Sequence, residues 1–153
     1  MGATQPLPPS GSFQGSLHLF PVRVYYEDTD LSGMVYHANY LRWFERARSD
    51  LLRLLGIDQR AAADTGEGFY TVAELNIRYL APARLDDAVS VITSAEELRN
   101  ASVRLRQRAF RGEELLAEAL VRVGFISPEG RPRRQPSGWR AKFETLLTAK
   151  DPA

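Results

Sequence analysis

The chain has no cysteine, which excludes a disulfide framework, a thiolate nucleophile and any cysteine-held metal. Histidine is nearly as scarce. The two that occur, His18 and His37, stand on separate segments without ligand spacing, so no metal site is expected. A glycine-rich phosphate loop is missing as well. No apolar run approaches the ~20 residues of a membrane span, and the start lacks the charged-then-apolar order of an export signal. A soluble, cytoplasmic protein is the expectation. Excess charge is absent too: 20 Lys and Arg face 19 Asp and Glu, so bulk electrostatics gives no reason to expect nucleic acid, although Arg131 to Arg134 is locally basic. No internal repeat is visible.

What is present suits one globular domain: 153 residues, 44% of them apolar and 25% charged. Residues 1–16 carry Pro6, Pro8 and Pro9 among small polar residues and too few large apolar groups to offset the entropy of ordering, so they are expected to form a disordered tail. The domain is then expected over 17–147, with a second tail at 148–153. From Val22 the pattern alternates, with Val22, Val24 and Tyr26 on one face, which predicts a strand. From Asn39 the period becomes helical: Trp43, Phe44, Ala47, Leu51, Leu54 and Leu55 form a wide apolar stripe, with Asn39 as N-cap and Gly56 as stop.

Strand periodicity returns over Phe69 to Tyr79, Ala88 to Glu97, Ala101 to Arg111 and Leu115 to Ile126. Turns at Arg99-Asn100 and Gly112-Glu113 make the last three an antiparallel meander. Trp139, Phe143, Leu146 and Leu147 predict a short closing helix. The whole reads as an α+β fold, a curved antiparallel sheet of about five strands around one long central helix.

Between the first strand and that helix lies Tyr-Tyr-Glu-Asp-Thr-Asp-Leu-Ser-Gly-Met-Val-Tyr-His-Ala-Asn-Tyr, from Tyr25 to Tyr40. Carboxylates beside the positive end of a helix supply a base or nucleophile together with backbone N–H groups able to hold a developing oxyanion. Aspartate in such a loop also has an ordinary use, accepting a nearby backbone N–H in a turn. That is the reading for Asp28.

The segment from Val22 to Arg48 resembles the hotdog-fold acyl-CoA thioesterases of the 4-hydroxybenzoyl-CoA thioesterase superfamily, and within it the group associated with the Tol-Pal envelope system. The resemblance continues through Arg78 to Asp87 and reaches about Leu146. It implies a hotdog fold and cofactor-free hydrolysis of an acyl-CoA or acyl carrier protein thioester. Asp30 then is the catalytic carboxylate, acting as nucleophile or general base, and a backbone N–H at or near His37 faces the thioester oxygen. The His37 side chain and Tyr26 match active-site positions as orienting or proton-shuttling groups. Gly33, Val35, Tyr36, Asn39 and Tyr40 are implied along the substrate. Dimers or tetramers are implied too, formed by joining sheet edges, and an association with the Tol-Pal machinery.

Ordinary alternatives stand beside these. His37 reads equally as a cap or core histidine, and Tyr26 as strand packing. Glu45 reads as a local surface partner of Arg48 or Ser49. Trp43 and Phe44 are core or acyl-tunnel wall; Arg131, Arg133 and Arg134 meet coenzyme A phosphates or only solvent. Leu31 and Ser32 stand where the family commonly has smaller residues, which implies a bulkier loop and an altered acyl pocket. Two other functions stay open: a non-catalytic module of the envelope machinery, and a hotdog acyl-CoA hydratase or dehydratase.

Overall fold

The alternating runs do become strands, and the amphipathic stripe becomes the helix they enclose. The computed structural model describes residues 4–147; residues 1–3 of the expected first tail and all of the expected tail at 148–153 lie outside the described residues. Six antiparallel strands form one sheet: β1 (Ser12–Gln14), β2 (Leu17–Arg23), β3 (Phe69–Tyr79), β4 (Ala88–Leu98), β5 (Ser102–Arg111) and β6 (Glu114–Ile126), in the spatial order β1-β2-β4-β5-β6-β3. Helix α1 (Asn39–Leu54) lies against it, with α2 (Gln59–Asp64) and α3 (Ser137–Leu147) beside it. This is the expected α+β architecture, with six strands where about five were expected.

Packing follows the sequence stripe except near its end, where Leu54 is exposed and Leu52 is buried instead. Trp43, Phe44, Ala47 and Leu51 are at most 1% exposed and pack into one core with Val91 of β4, Leu105 of β5 and Val121 of β6. Each large side chain buried there contributes roughly 1.5–3 kcal/mol relative to exposure. The β4-β5-β6 meander forms as expected, with Gly112 at φ +59 in the last turn. That left-handed conformation suits glycine. Among the described residues, no helix is long and apolar enough to cross a membrane.

Three expectations change. Order begins before Ser16, because β1 pairs with β2 while Ser10 Oγ and the Gly11 N–H donate to the carboxylate of Asp50 on α1 at 2.6 and 2.9 Å. A buried acceptor fixes this segment, together with Phe13, which packs partly buried against the core. The first strand starts earlier than Val22 and stops at Arg23, so Tyr26 is not a strand residue. Instead the Asp28 carboxylate accepts the Tyr25 N–H at 2.8 Å and bends the chain into a short 3-10 turn over Tyr26–Asp28. Finally, Asn39 does not cap α1. Ala38 occupies that position with no side-chain cap, and Asn39 Nδ2 donates to the Asp28 carbonyl at 2.8 Å.

β1 and β3 are the edges of the sheet. β3 is long, and it leaves Val72, Leu75 and Tyr79 about half exposed. An edge of that kind presents unpaired backbone groups beside apolar side chains.

Candidate active site

Asp30 sits in a tight loop closed by its own backbone. Its N–H donates to the Met34 carbonyl at 2.9 Å and its carbonyl accepts from the Gly33 N–H at 3.0 Å. Gly33 adopts φ +82, a left-handed conformation that makes this reversal cheap. A bridge between Thr29 and Val35 aligns the two arms of the loop.

The carboxylate itself is exposed and asymmetric. Ser32 donates both its N–H, at 2.8 Å, and its hydroxyl to Oδ1. Among the described residues Oδ2 has no donor, which leaves one oxygen free toward a substrate or a water. The Ser32 hydroxyl, then the Ser32 N–H, with a smaller contribution from the charge field of His37, hold the Asp30 carboxyl below the ordinary aspartate range. Asp30 is therefore ionised at neutral pH, as a nucleophile or base must be.

Beside this loop the chain enters α1 without a side-chain cap. The N–H groups of His37 and Ala38 have no protein acceptor among the described residues. Uncapped N–H groups at a helix start carry partial positive charge and suit a developing oxyanion. Tyr79 on β3 holds this turn from the other side, its hydroxyl donating to the His37 carbonyl at 2.9 Å. The His37 ring lies between Tyr36 and Tyr79, with centroids 4.6 and 6.0 Å away.

A cleft of about 320 Å³ opens here, lined by Met34, Val35, His37, Tyr40, Tyr79 and the stretch from Leu80 to Pro82. Tyr40 is buried, and its hydroxyl accepts the Ala83 N–H at 3.0 Å. Burial raises the pKa of both Tyr40 and Tyr79, so both phenols keep their protons. Among the described residues, no cluster of three His, Asp or Glu side chains is placed to hold a metal.

The structure thus gathers His37, Val35 and Tyr40 around one cleft next to the Asp30 loop. Asn39 and Asp28 brace that loop, since the Asp28 carbonyl accepts both Asn39 Nδ2 and the Tyr36 N–H. Tyr36 itself is half exposed. Tyr26 is 83% exposed and outside the cleft lining. Leu31 also points fully into solvent and is outside the cleft lining. The expected surface pairing of Glu45 with Arg48 is not formed among the described residues; Arg48 turns inward to Gln107 at 2.9 Å. Arg133 is tied to the carbonyls of Gly66 and Glu67 at 3.1 and 2.7 Å, so it is not a free basic group.

Sequence reading missed Ser32 as the partner of Asp30 and Tyr79 as the brace of the helix turn. Tyr79 lay within the second stretch of resemblance, which was its only signal.

Comparison with known proteins gives the family and the fold. The model of the thioesterase superfamily matches residues 32–118. A Haemophilus influenzae protein named acyl-CoA thioesterase YbgC is 40% identical over 128 residues, covering 83% of this chain and 94% of its own. The Helicobacter pylori J99 protein of the same name is 39% identical over 136 residues, covering 83% of this chain and 97% of its own. Among solved structures, a probable thioesterase from Bartonella henselae superposes with TM-score 0.75 at 40% identity, covering 78% of this chain and 99% of that one.

Proposed function

The chain belongs to the thioesterase superfamily, and on that premise we propose that it hydrolyses acyl-CoA thioesters to the free acid and coenzyme A with Asp30 as the acting carboxylate. The observation that carries the assignment is the state of that carboxylate: ionised, anchored through Oδ1 alone, with Oδ2 open beside an uncapped helix start.

Chemistry follows from those groups. Oδ2 either attacks the thioester carbonyl carbon or takes a proton from a water that does so. The carbonyl oxygen gains the electron pair and is held by the free N–H groups at His37 and Ala38. Collapse expels the coenzyme A thiolate. Along the nucleophilic route a water then opens the acyl-Asp30 anhydride; along the general-base route the acid forms directly. Either way one water is consumed and one thiol and one acid appear. The His37 ring and exposed Tyr26 act as orienting or proton-shuttling groups, and Gly33, Val35, Tyr36, Asn39 and Tyr40 shape the substrate path.

The thioester arrives on coenzyme A or on an acyl carrier protein, in the cytoplasm. Two copies pair along β3, whose exposed apolar edge needs such cover, and pairs assemble further into a tetramer. Association with the Tol-Pal envelope system is part of the same proposal and is supported by resemblance.

Thiol release from a panel of acyl-CoA esters tests the reading. Asp30→Asn keeps size and removes charge, and it is expected to lose at least about a hundredfold in rate. No thiol from any ester, or an unchanged variant, overturns the assignment.

A further inference from the structure

One residue, Ala83, touches both halves of the proposed site. It is fully buried in the connection between β3 and β4; its carbonyl accepts the Val35 N–H at 2.9 Å, and its own N–H donates to the Tyr40 hydroxyl at 3.0 Å. Val35 belongs to one arm of the Asp30 loop, and Tyr40 stands at the start of α1. The next residue, Arg84, adds a backbone bridge to Met34, whose carbonyl accepts the Asp30 N–H at 2.9 Å. The Asp28 carbonyl ties loop and helix together from within. Ala83 ties both to the sheet.

A side chain from another strand fixes this connection on both sides of Ala83. Arg111, at the end of β5, donates through Nη1 to the Pro82 carbonyl at 3.2 Å and to Asp87 Oδ2 at 2.6 Å. Nη1 carries two N–H groups, one for each acceptor. The same Oδ2 accepts the Arg84 N–H at 2.8 Å. Pro82 and Arg84 flank Ala83, so one guanidinium reaches its neighbour on one side directly and on the other through a single carboxylate. Burial works against the charge of Asp87, but the Arg84 N–H and Arg111 outweigh it and hold that carboxyl below the ordinary aspartate range. Both partners are charged at neutral pH, and charge-assisted bonds are stronger than neutral ones.

Arg111 also pairs with Glu114 across the β5-β6 turn. Tightening that turn explains the Glu114 contact alone. It does not account for the bonds to Pro82 and Asp87, which lie 29 and 24 positions away in another part of the chain. Arg108, also on β5, meets Glu118 on β6 at 2.7 Å. That surface pair offers a control for the loss of an arginine from this strand.

We propose that Arg111 is a positioning residue: through Pro82 and Asp87 it fixes Ala83, and through Ala83 it sets the Asp30 loop against the start of α1. It is outside the cleft lining and acts only through the connection. Its effect on turnover rests on the thioesterase reading. A misplacement of about 1 Å between reacting groups costs up to about a hundredfold in rate, so the loss belongs to kcat.

Two readouts test it, one of them independent of any reaction. In Arg111→Met, amide hydrogen exchange at Val35 and Ala83 is expected to quicken at least about tenfold while amides in the middle of the β4-β5 ladder keep their rates. With the best acyl-CoA ester, kcat for thiol release is expected to fall at least about tenfold with KM little changed. Arg111→Lys keeps a charge and N–H donors and is expected to recover part of both. Glu114→Gln removes the charge of the turn contact and Arg108→Met a surface pair; both are expected to keep wild-type kcat. Unchanged exchange at Val35 and Ala83, or an equal rise in the ladder, overturns the proposal whatever the turnover. Quickened exchange at unchanged kcat, or an equal loss of kcat in Glu114→Gln or Arg108→Met, overturns it too, because Arg111 then serves stability alone. If the wild type releases no thiol from any ester while exchange quickens as expected, the thioesterase reading falls and the hold of Arg111 on the Asp30 loop stands.

Discussion

His18 on β2 and Asp50 on α1 meet in a buried hydrogen bond, Nε2 to Oδ2 at 2.7 Å, with His18 0% and Asp50 2% exposed. The same carboxylate accepts Ser10 Oγ and the Gly11 N–H. One side chain thereby fastens the N-terminal strand to the central helix. Space is tight at the joint: a Cβ on Gly11 would stand 2.2 Å from the Leu19 carbonyl oxygen.

Asp50→Ala removes the shared acceptor and leaves buried donors unmatched. A loss of about 3 kcal/mol is expected, read as a fall of roughly 6–12 °C in Tm. Burial works against the charge, but the bonds from Ser10, His18 and Gly11 outweigh it and hold the Asp50 carboxyl below its ordinary value. A carboxyl depressed on folding stabilises above its unfolded pKa, about 3.9, and that stabilisation fades as pH falls through the folded value. The Tm gap between wild type and Asp50→Ala therefore narrows on acidification below about pH 4.

On the proposed role of Asp30, Ser32 is expected to set the acid limb of the reaction. Its hydroxyl holds Asp30 below the ordinary range, so wild-type kcat/KM stays level until pH falls beneath the usual aspartate value of about 3.9. In Ser32→Ala the acid limb moves up toward that value. A pH–rate profile, with circular dichroism to confirm folding at each pH, checks it. An unmoved limb removes Ser32 from this role.

Tyr79→Phe releases the His37 carbonyl and loosens the turn that presents the free N–H groups. Loss of about tenfold in kcat is expected, with KM little changed, because the oxyanion role proposed for those N–H groups belongs to the transition state. A rise in KM at constant kcat points instead to simple substrate contact.

Leu75→Arg places a charge on the exposed edge of β3. Symmetric pairing along that edge would bring two such charges together. Light scattering is expected to show an assembly for wild type and a folded monomer of 17.2 kDa for the variant. A monomeric wild type sinks the proposed assembly.

Local chemistry made some of this legible in advance. The apolar stripe of α1, the β4-β5-β6 meander and the α3 stripe each follow from periodicity and turn residues within a short window. Asp30 and His37 share one loop and one helix start, so their proximity needed no knowledge of the rest of the chain. The reading failed where a local bond overrode periodicity, as when Asp28 turned the chain at Tyr25 and took Tyr26 out of the strand.

The sequence by itself determined the architecture and the family, because these are written in nearest-neighbour patterns and in one contiguous motif. Only the tertiary structure decided which distant groups meet. His18 lies 32 positions from Asp50, Tyr79 42 from His37, and Gln107 59 from Arg48. Such meetings depend on sheet register, where a slip of one residue turns every side chain to the opposite face. Register is fixed by the packing of the whole sheet on α1, and no short stretch of sequence contains it.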